Sequence, residues 1–182
     1  MNNLMIDLET LSTGNNAVIV QIGACYFNEL TGKIGDTFER TIDIDSSLRH
    51  GFEVDGETLY WWLLQSKKAR ESISGGVEKA RGSATNVITH FSQFARYAAH
   101  VWSHATFDFP LLLNYFKKLN IKPPFSYTTA RDIRTVLMLS ENYDLRKYQK
   151  VGESHTALDD CKFQVKYLVD SLSIIRRKDH EK

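Results

Sequence analysis

Cysteine and proline are scarce in this sequence. It contains two cysteines, Cys25 and Cys161, and three prolines. Each cysteine lies in an apolar stretch and no Cys-x-x-Cys pair occurs, so we expect neither a disulfide framework nor a structural zinc site. Isolated cysteines of this kind fit a reducing compartment. The composition also excludes a fibrous or a disordered chain.

Long hydrophobic runs and a strong net charge are also lacking. The longest apolar runs, such as residues 60–64 and 109–113, fall far below the roughly 18 residues that a membrane span needs. No basic-then-apolar leader precedes Leu4, and we therefore expect a cytoplasmic protein. The net charge of +1 provides no general field that would attract a polyanion, so any contact with nucleic acid has to be local.

The pattern of apolar residues predicts an α/β domain. With 182 residues, 42% apolar and 25% charged, we expect residues 1–182 to form a single domain with a short basic tail from about residue 176. The pattern predicts strands at 3–9, 17–27 and 37–44, which short loops join as an antiparallel meander, and further strands at 100–103 and 127–130. It predicts helices at 57–68, 84–99, 108–119, 132–139 and 156–175, and a loop at 72–83. Helices that alternate with later strands indicate a layered α/β architecture.

Four acidic positions stand in apolar surroundings. Asp7 and Glu9 interrupt the strand MIDLET and project from one face of it, roughly 7 Å apart. Asp108 lies in ATFDFPLLL, and Asp159 and Asp160 lie in HTALDDCKFQ. Buried carboxylates are costly unless they are paired, protonated or bound to cations. Oxygen ligands favour Mg²⁺ or Mn²⁺ over Zn²⁺, and two such ions about 4 Å apart can support displacement at a phosphate.

The last predicted helix favours Asp160 over Asp159 as a ligand. Its apolar stripe consists of Leu158, Cys161, Val165, Leu168 and Leu172. Asp160 lies about 110° from the centre of this stripe and Asp159 about 150°, which makes Asp159 the better solvent residue. Near a helix N-terminus, either aspartate could instead serve the helix dipole. His155, just before this helix, can accept a proton from water at neutral pH, although a cap or surface role is the commoner one.

The motifs MIDLET, ATFDF and HTALDD, in this order, resemble those of the DnaQ-like, DEDDh class of 3′–5′ exonucleases. The resemblance implies an RNase H-like fold, with a mixed central sheet, an antiparallel three-strand start and flanking helices. It implies that two divalent cations, Mg²⁺ or Mn²⁺, are bound by Asp7, Glu9, Asp108 and Asp160, with Asp7 bridging both. His155 would be the general base.

Longer stretches resemble a narrower group. VIVQIGACYF, TLYWWLLQS, PPFSYTTARDIRT and HTALDDCKFQVKYL are similar to the compact, stand-alone branch of phage and bacterial proteins often labelled exonuclease VIII-like. The match spans nearly the whole chain. One departure is SHATFD, where His104 stands at a position that often carries asparagine or glycine in relatives, so the resemblance assigns His104 no role.

Three predicted substrate contacts adjoin the acidic residues. By resemblance, Thr10 and Leu11 would line the pocket for the terminal nucleotide; a strand end and a core contact are the alternatives. Phe107, beside Asp108, could stack on a base because aromatic faces accept any base. It could equally be a core residue.

Two further contacts are predicted farther along the chain. Trp61 and Trp62 are neighbours on a helix, about 100° apart, and cannot both face the core. The resemblance brings this helix near the substrate cleft, and we assign Trp62 to substrate binding, with packing as the alternative. Arg131 could hold a backbone phosphate or be ordinary surface charge.

These observations favour an enzyme that releases nucleoside 5′-monophosphates from the 3′ end of single-stranded DNA or RNA. A water deprotonated by His155 would attack the terminal phosphodiester. The alternative is an accessory module that binds nucleic acid with the same fold and has lost turnover. A serine or cysteine hydrolase is disfavoured, because Ser154 lacks a nucleophile-elbow glycine pattern and neither cysteine has a neighbouring histidine.

Overall fold

A five-stranded mixed sheet forms the centre of the fold. The computed structural model describes residues 1–74, 81–142, 144–148 and 155–180. The strands are β1 (Asn3–Thr10), β2 (Ile19–Phe27), β3 (Ile34–Thr41), β4 (His100–Ser103) and β5 (Ala130–Asp132), in the order β3-β2-β1-β4-β5. β1, β2 and β3 pair antiparallel, whereas β4 pairs parallel to both β1 and β5. The predicted mixed sheet with an antiparallel start is confirmed.

Helices flank this sheet. They are α1 (Ile44–Leu48), α2 (Gly56–Leu63), α3 (Lys67–Ser74), α4 (Ala84–Ala95), α5 (Asp108–Lys118), α6 (Ile133–Ser140) and α7 (Ala157–His180). Single 3-10 turns occur at Tyr127–Thr129 and Leu145–Lys147. Within the described ranges, no helix is long and apolar enough to cross a membrane.

Capping side chains explain most departures from the predicted elements. The third strand ends before residue 44 because Asp43 accepts from the Ser46 N–H at 2.8 Å and begins α1, which was not predicted. The predicted helix 57–68 is divided, since Ser66 Oγ accepts from the Ala69 N–H at 3.1 Å where α3 begins. The predicted loop at 72–83 is therefore wrong at its start, and its residues 75–80 lie outside the described part of the chain.

Two boundaries late in the chain also differ. Ser126 caps the 3-10 turn, so the last strand follows that turn instead of occupying it. α7 continues to His180, so the predicted tail from about residue 176 starts inside a helix. There Arg176 Nη2 lies 3.0 Å from Glu29 Oε1, an ion pair between α7 and the loop after β2.

Alternation along β1 decides which side chains face which layer. Leu4, Ile6 and Leu8 join the cluster that includes residues of α4 and α5. Met5 joins the opposite cluster, in which Cys161, Val165 and Leu168 of α7 are buried. Because side chains two apart on a strand share a face, Asp7 and Glu9 lie on the α7 side of the sheet.

Candidate active site

The two β1 carboxylates are withdrawn from solvent. Asp7 is half-buried, and Glu9 is 8% exposed. β1 is the central strand of the sheet and has β2 and β4 as its neighbours. Asp7 and Glu9 pair with Gly23 and Gln21 of β2, whereas the pairing of β1 with β4 ends at Met5. Both carboxylates therefore lie beyond the carboxyl end of β4, on the side of the sheet that α7 covers.

Asp108 enters the same region from β4. That strand runs parallel to β1 and ends at Ser103, after which the chain turns into α5, whose first residue is Asp108. The side chain is 3% exposed, and the His104 N–H donates to its Oδ2 at 3.0 Å. The turn between β4 and α5 thus delivers the carboxylate and holds it with a backbone donor.

The start of α7 delivers Asp160 and His155. The His155 N–H donates to Asp160 Oδ2 at 2.9 Å. Gln21 of β2 accepts from the Ala157 N–H at 2.9 Å, which gives an N-terminal amide of the helix a partner. Helix and strand are so close that a Cβ on Gly23 would stand 2.2 Å from the carbonyl carbon of Ala157. This close approach brings the beginning of α7 over the sheet.

The two adjacent aspartates of α7 have different surroundings. Asp159 Oδ1 lies 3.4 Å from Lys162 Nζ, and Thr156 Oγ1 donates to Asp159 Oδ2 at 3.2 Å. Asp160, Glu9 and His155 each offer one ligand atom, and these three atoms all lie within 4.8 Å of one another. Asp160 thus belongs to the acidic group and Asp159 pairs with a lysine.

Electrostatics link all four predicted ligands. Burial raises the pKa of Asp7 well above its usual range, and the negative charges of Asp108, Glu9 and Asp160 raise it further. Burial also raises the pKa of Asp108 to about 7, against the effect of its bond from the His104 N–H. Mutual repulsion among buried carboxylates is what bound cations relieve. The oxygen-rich donor set with one imidazole fits hard divalent cations.

His155 is held by contacts around its backbone and its ring. Its φ is +62°, in the left-handed region. The Ser72 hydroxyl of α3 donates to its carbonyl oxygen at 3.0 Å. The ring meets Trp61 and Trp62 edge-on, with centroid distances of 4.9 Å and 6.0 Å. Ser154, its neighbour in the disfavoured hydrolase hypothesis, lies outside the described residues.

The profile of a family described as the Rv2179c-like 3′–5′ exoribonuclease domain matches residues 2–172. The chain belongs to this family. No curated protein matches the sequence.

Solved exonucleases share the fold. An E. coli exonuclease I in complex with a dA16 oligonucleotide has a TM-score of 0.62 and 12% identity, over 96% of this chain and 42% of that chain. Exonuclease X in complex with 5′ overhanging duplex DNA has a TM-score of 0.59 and 17% identity, over 94% of this chain and 91% of that chain. The nuclease domain of 3′hExo, a DEDDh family member bound to rAMP, has a TM-score of 0.57 and 16% identity, over 94% of this chain and 91% of that chain.

These findings confirm the resemblance to DnaQ-like, DEDDh exonucleases and the RNase H-like fold. The chain spans less than half of exonuclease I but most of exonuclease X and of the 3′hExo nuclease domain. Membership of the narrower exonuclease VIII-like branch stays a prediction.

The residues predicted to contact substrate differ in burial and in their hydrogen bonds within this exoribonuclease-family domain. Leu11 is 2% and Trp62 3% exposed. The Trp62 indole N–H donates to the carbonyl oxygen of half-buried Thr10 at 2.8 Å. Phe107 directly precedes α5 and is half-buried against the hydrophobic cluster on the α4 and α5 side of the sheet. Arg131 donates through Nη1 to the carbonyl oxygens of Thr128 and Ala130, at 2.9 and 2.8 Å.

Sequence reasoning passed over two residues beside the site and preferred the more buried of two adjacent tryptophans. Gln164 donates to Asp7 Oδ1 at 2.7 Å, and its signal was a polar residue on the buried side of α7. Ser72, which bonds His155, gave no local signal because it lies in a stretch predicted as loop. Trp61 is 43% exposed beside the His155 ring, whereas the prediction singled out the more buried Trp62.

Proposed function

We propose that residues 1–182 form one metal-dependent 3′–5′ exonuclease domain, which releases nucleoside 5′-monophosphates from the 3′ end of single-stranded nucleic acid. The observation that carries this proposal is the grouping of Asp160, Glu9 and His155. The charges of Asp108, Glu9 and Asp160 also act on Asp7, which links the four carboxylates. Family membership supports the reaction type. A cytoplasmic location belongs to the same proposal.

RNA is the first substrate to test. The family is described as an exoribonuclease domain. Among proteins of similar fold, the 3′hExo nuclease domain is bound to rAMP, and an exonuclease I is in complex with a dA16 oligonucleotide. Both sugars therefore belong in the comparison, because discrimination between them depends on contacts with the 2′-hydroxyl.

In this proposal, Asp7, Glu9, Asp108 and Asp160 would hold two divalent cations, Mg²⁺ or Mn²⁺. Two such cations would supply Lewis acidity for activating water and for stabilising the charge on the departing 3′ oxygen. His155 accepts the proton of the attacking water. Its contacts with Trp61 and Trp62 keep the imidazole in place, and its backbone bond to Asp160 ties it to the acidic group.

The terminal nucleotide would lie against the end of β1. Thr10 and Leu11 follow Glu9 directly, so a phosphate at the carboxylates brings the attached sugar and base to these residues. Phe107 would offer a ring beside Asp108. Trp62 would act near the nucleotide through Thr10, which it already contacts. Arg131 would exchange its bonds to backbone carbonyls for a phosphate.

The deciding experiment is digestion of matched RNA and DNA oligonucleotides, single- and double-stranded and labelled at the 5′ end, with Mg²⁺ or Mn²⁺. Progressive shortening with release of nucleoside 5′-monophosphates is expected on single strands. EDTA, Asp7→Ala and Asp160→Ala should each abolish it, because each removes the cations or a ligand. Asp159→Ala is the matched control and should retain activity, since Asp159 pairs with Lys162.

Two results would contradict the proposal. Full activity of Asp7→Ala or Asp160→Ala would mean that the acidic group is not the catalytic centre. Binding of single strands without any shortening, at high protein concentration and with either cation, would instead identify a nucleic-acid-binding module that lacks turnover.

A further inference from the structure

A polar side chain lies on the buried face of α7. Gln164 is 5% exposed, and its helix neighbours Cys161, Val165 and Leu168 are all buried against the sheet. An amide loses its bonds with water when it is buried, so an apolar residue would suit this position better for packing. A glutamine here therefore calls for a specific partner.

Asp7 is that partner. The Gln164 Nε2 donates to Asp7 Oδ1 at 2.7 Å. The NH₂ group of the amide is its only donor, so it faces the carboxylate oxygen that accepts this bond. Within the described part of the chain, the buried Oε1 of Gln164 has no hydrogen-bond partner. The amide is therefore oriented for one contact, and its oxygen forgoes a partner as a result.

This contact restrains the carboxylate that the other acids repel. Glu9 and Asp108 are buried acidic residues of the same group, and the bond from Gln164 gives Asp7 a donor among these acceptors. A donor on Oδ1 also limits rotation of the carboxylate plane and leaves Oδ2 available as a ligand.

The same helix supplies a predicted ligand one turn earlier. Asp160 and Gln164 are four residues apart and so lie on one side of α7. From this geometry, and on the basis of the proposed function, we propose that Gln164 is a positioning residue, which holds Asp7 in the orientation that binds a divalent cation. Packing of α7 against β1 then has two effects: it places Asp160 at the site, and through Gln164 it restrains Asp7.

The test is Gln164→Met, which keeps the length of the side chain and the helix propensity but removes the donor. Mn²⁺ binding to the full chain is measured without nucleic acid, by calorimetry and by electron paramagnetic resonance. Binding should weaken about tenfold, as is typical when a residue that orients a ligand is lost. Gln164→Leu, of a different shape but also without a donor, should give the same result.

Ser171→Ala is the matched control. Ser171 is fully buried on the same helix, about two turns from Gln164, and bonds to Asn142 and the Tyr167 carbonyl. Its Mn²⁺ affinity should equal that of the parent. In digestion assays, Gln164→Met should need more Mn²⁺ for half-maximal rate, with an unchanged KM for the oligonucleotide.

A stability comparison gives a readout that needs neither cation nor substrate. Gln164→Met should destabilise the parent in EDTA, because Asp7 Oδ1 loses its hydrogen-bond donor. It should be neutral or stabilising in an Asp7→Ala background, where the amide has no carboxylate to bind. Urea denaturation of the parent, Gln164→Met, Asp7→Ala and the double variant measures the coupling energy between Gln164 and Asp7.

Mn²⁺ affinities of both Gln164 variants within about twofold of the parent's would overturn the proposal. Equal destabilisation in both backgrounds would overturn it too, because it would assign Gln164 to packing. A parent that hydrolyses no oligonucleotide would contradict the proposed function instead, since Mn²⁺ binding and the stability coupling are measured without nucleic acid.

Discussion

His155 has an unusual backbone for a residue with a side chain. Its φ of +62° lies in the left-handed region, which only a few per cent of residues other than glycine adopt, with asparagine, aspartate and histidine the most frequent among them. Two bonds stabilise this conformation: its N–H donates to Asp160, and Ser72 donates to its carbonyl oxygen. The tryptophans of α2 then restrict the ring. Residues from α2, α3 and α7 thus converge on the backbone and the ring of His155.

Replacing His155 with asparagine tests its role as the base. Asparagine tolerates the left-handed backbone, so the fold should persist while the proton acceptor is lost. We expect kcat to fall about 10²- to 10⁴-fold, measured as initial rates on a 5′-labelled single strand. His90→Asn on the exposed side of α4 is the control. An unchanged rate in His155→Asn would remove the histidine from the mechanism.

The adjacent tryptophans should differ in their effect on stability. Trp62→Phe removes the indole donor from the Thr10 carbonyl and shortens a side chain that is 3% exposed, so we expect a loss of about 1–3 kcal/mol in the free energy of unfolding. Trp61→Phe should change the free energy of unfolding far less, because Trp61 is 43% exposed. Urea denaturation compares the two variants. A larger loss in Trp61→Phe would mean that burial of the indole does not decide which tryptophan stabilises the fold.

At the scale of elements, the contact between α7 and β2 sets the position of α7 over the sheet. The helix begins where Gln21 binds the Ala157 N–H and where Gly23 offers no side chain. Because the helix lies across both β2 and β1, its position relative to the carboxylates depends on how closely it approaches the sheet. A small residue on one strand therefore controls the geometry of a site built on its neighbour.

Gly23→Ala should displace α7. The added Cβ would stand 2.2 Å from the Ala157 carbonyl carbon and 2.4 Å from the Leu158 nitrogen, and both atoms belong to the backbone. We expect a loss of about 1–3 kcal/mol or more in the free energy of unfolding, with weaker Mn²⁺ binding. Chemical denaturation and calorimetry measure the two effects.

Gly56→Ala is the control for that substitution. Nothing lies within 4 Å of a Cβ at Gly56, the first residue of α2. The change should leave stability equal or raise it by about 0.4–1 kcal/mol, because alanine reduces the freedom of the unfolded chain. Equal effects of the two alanines would mean that the close approach at Gly23 does not constrain the helix.

At the scale of the whole molecule, charge is nearly balanced but unevenly placed. The net charge is +1, while Asp7, Glu9, Asp108 and Asp160 are grouped between β1, α5 and α7. Such a group is unfavourable in the folded chain without cations. Stability should therefore depend on both pH and divalent cations.

In EDTA, the folded protein should lose stability as pH rises. Burial raises the pKa of Asp108 to about 7, whereas the unfolded chain releases that proton near pH 4. Between these values the folded state binds more protons, so the stabilisation is complete below about pH 4 and is lost as pH rises through 7. The free energy of unfolding should fall by about 1.4 kcal/mol per pH unit for each such proton. Each kcal/mol lost lowers Tm by roughly 2–4 °C in a protein of this size.

Differential scanning calorimetry from pH 5 to 8 measures this dependence. Mn²⁺ should raise Tm more at pH 8 than at pH 5, because the ion competes with protons for the carboxylates. Asp108→Asn should flatten the dependence in EDTA and reduce the shift that Mn²⁺ causes. A Tm that rises with pH in EDTA over this range would show that the buried carboxylates are ionised without cost.

Much of the fold could be predicted because its signals are local. Alternation identified the strands and placed Asp7 and Glu9 on one face, and helical spacing separated Asp160 from Asp159. Capping was harder to anticipate: Asp43, Ser66 and Ser126 start new elements where apolar pattern alone suggested continuation or loop. Single capping bonds moved these boundaries by a few residues without changing the order of the strands.

The sequence by itself predicted the antiparallel start of the sheet and the shared face of Asp7 and Glu9, because these depend on residue type and spacing along the chain. Its motifs indicated the class of protein by resemblance, which the family match confirms. Tertiary structure decided how α7 meets Gly23, why Gln164 is buried against Asp7 and which tryptophan stays exposed beside His155. Those features depend on contacts between residues far apart in sequence, whose distances no local periodicity specifies.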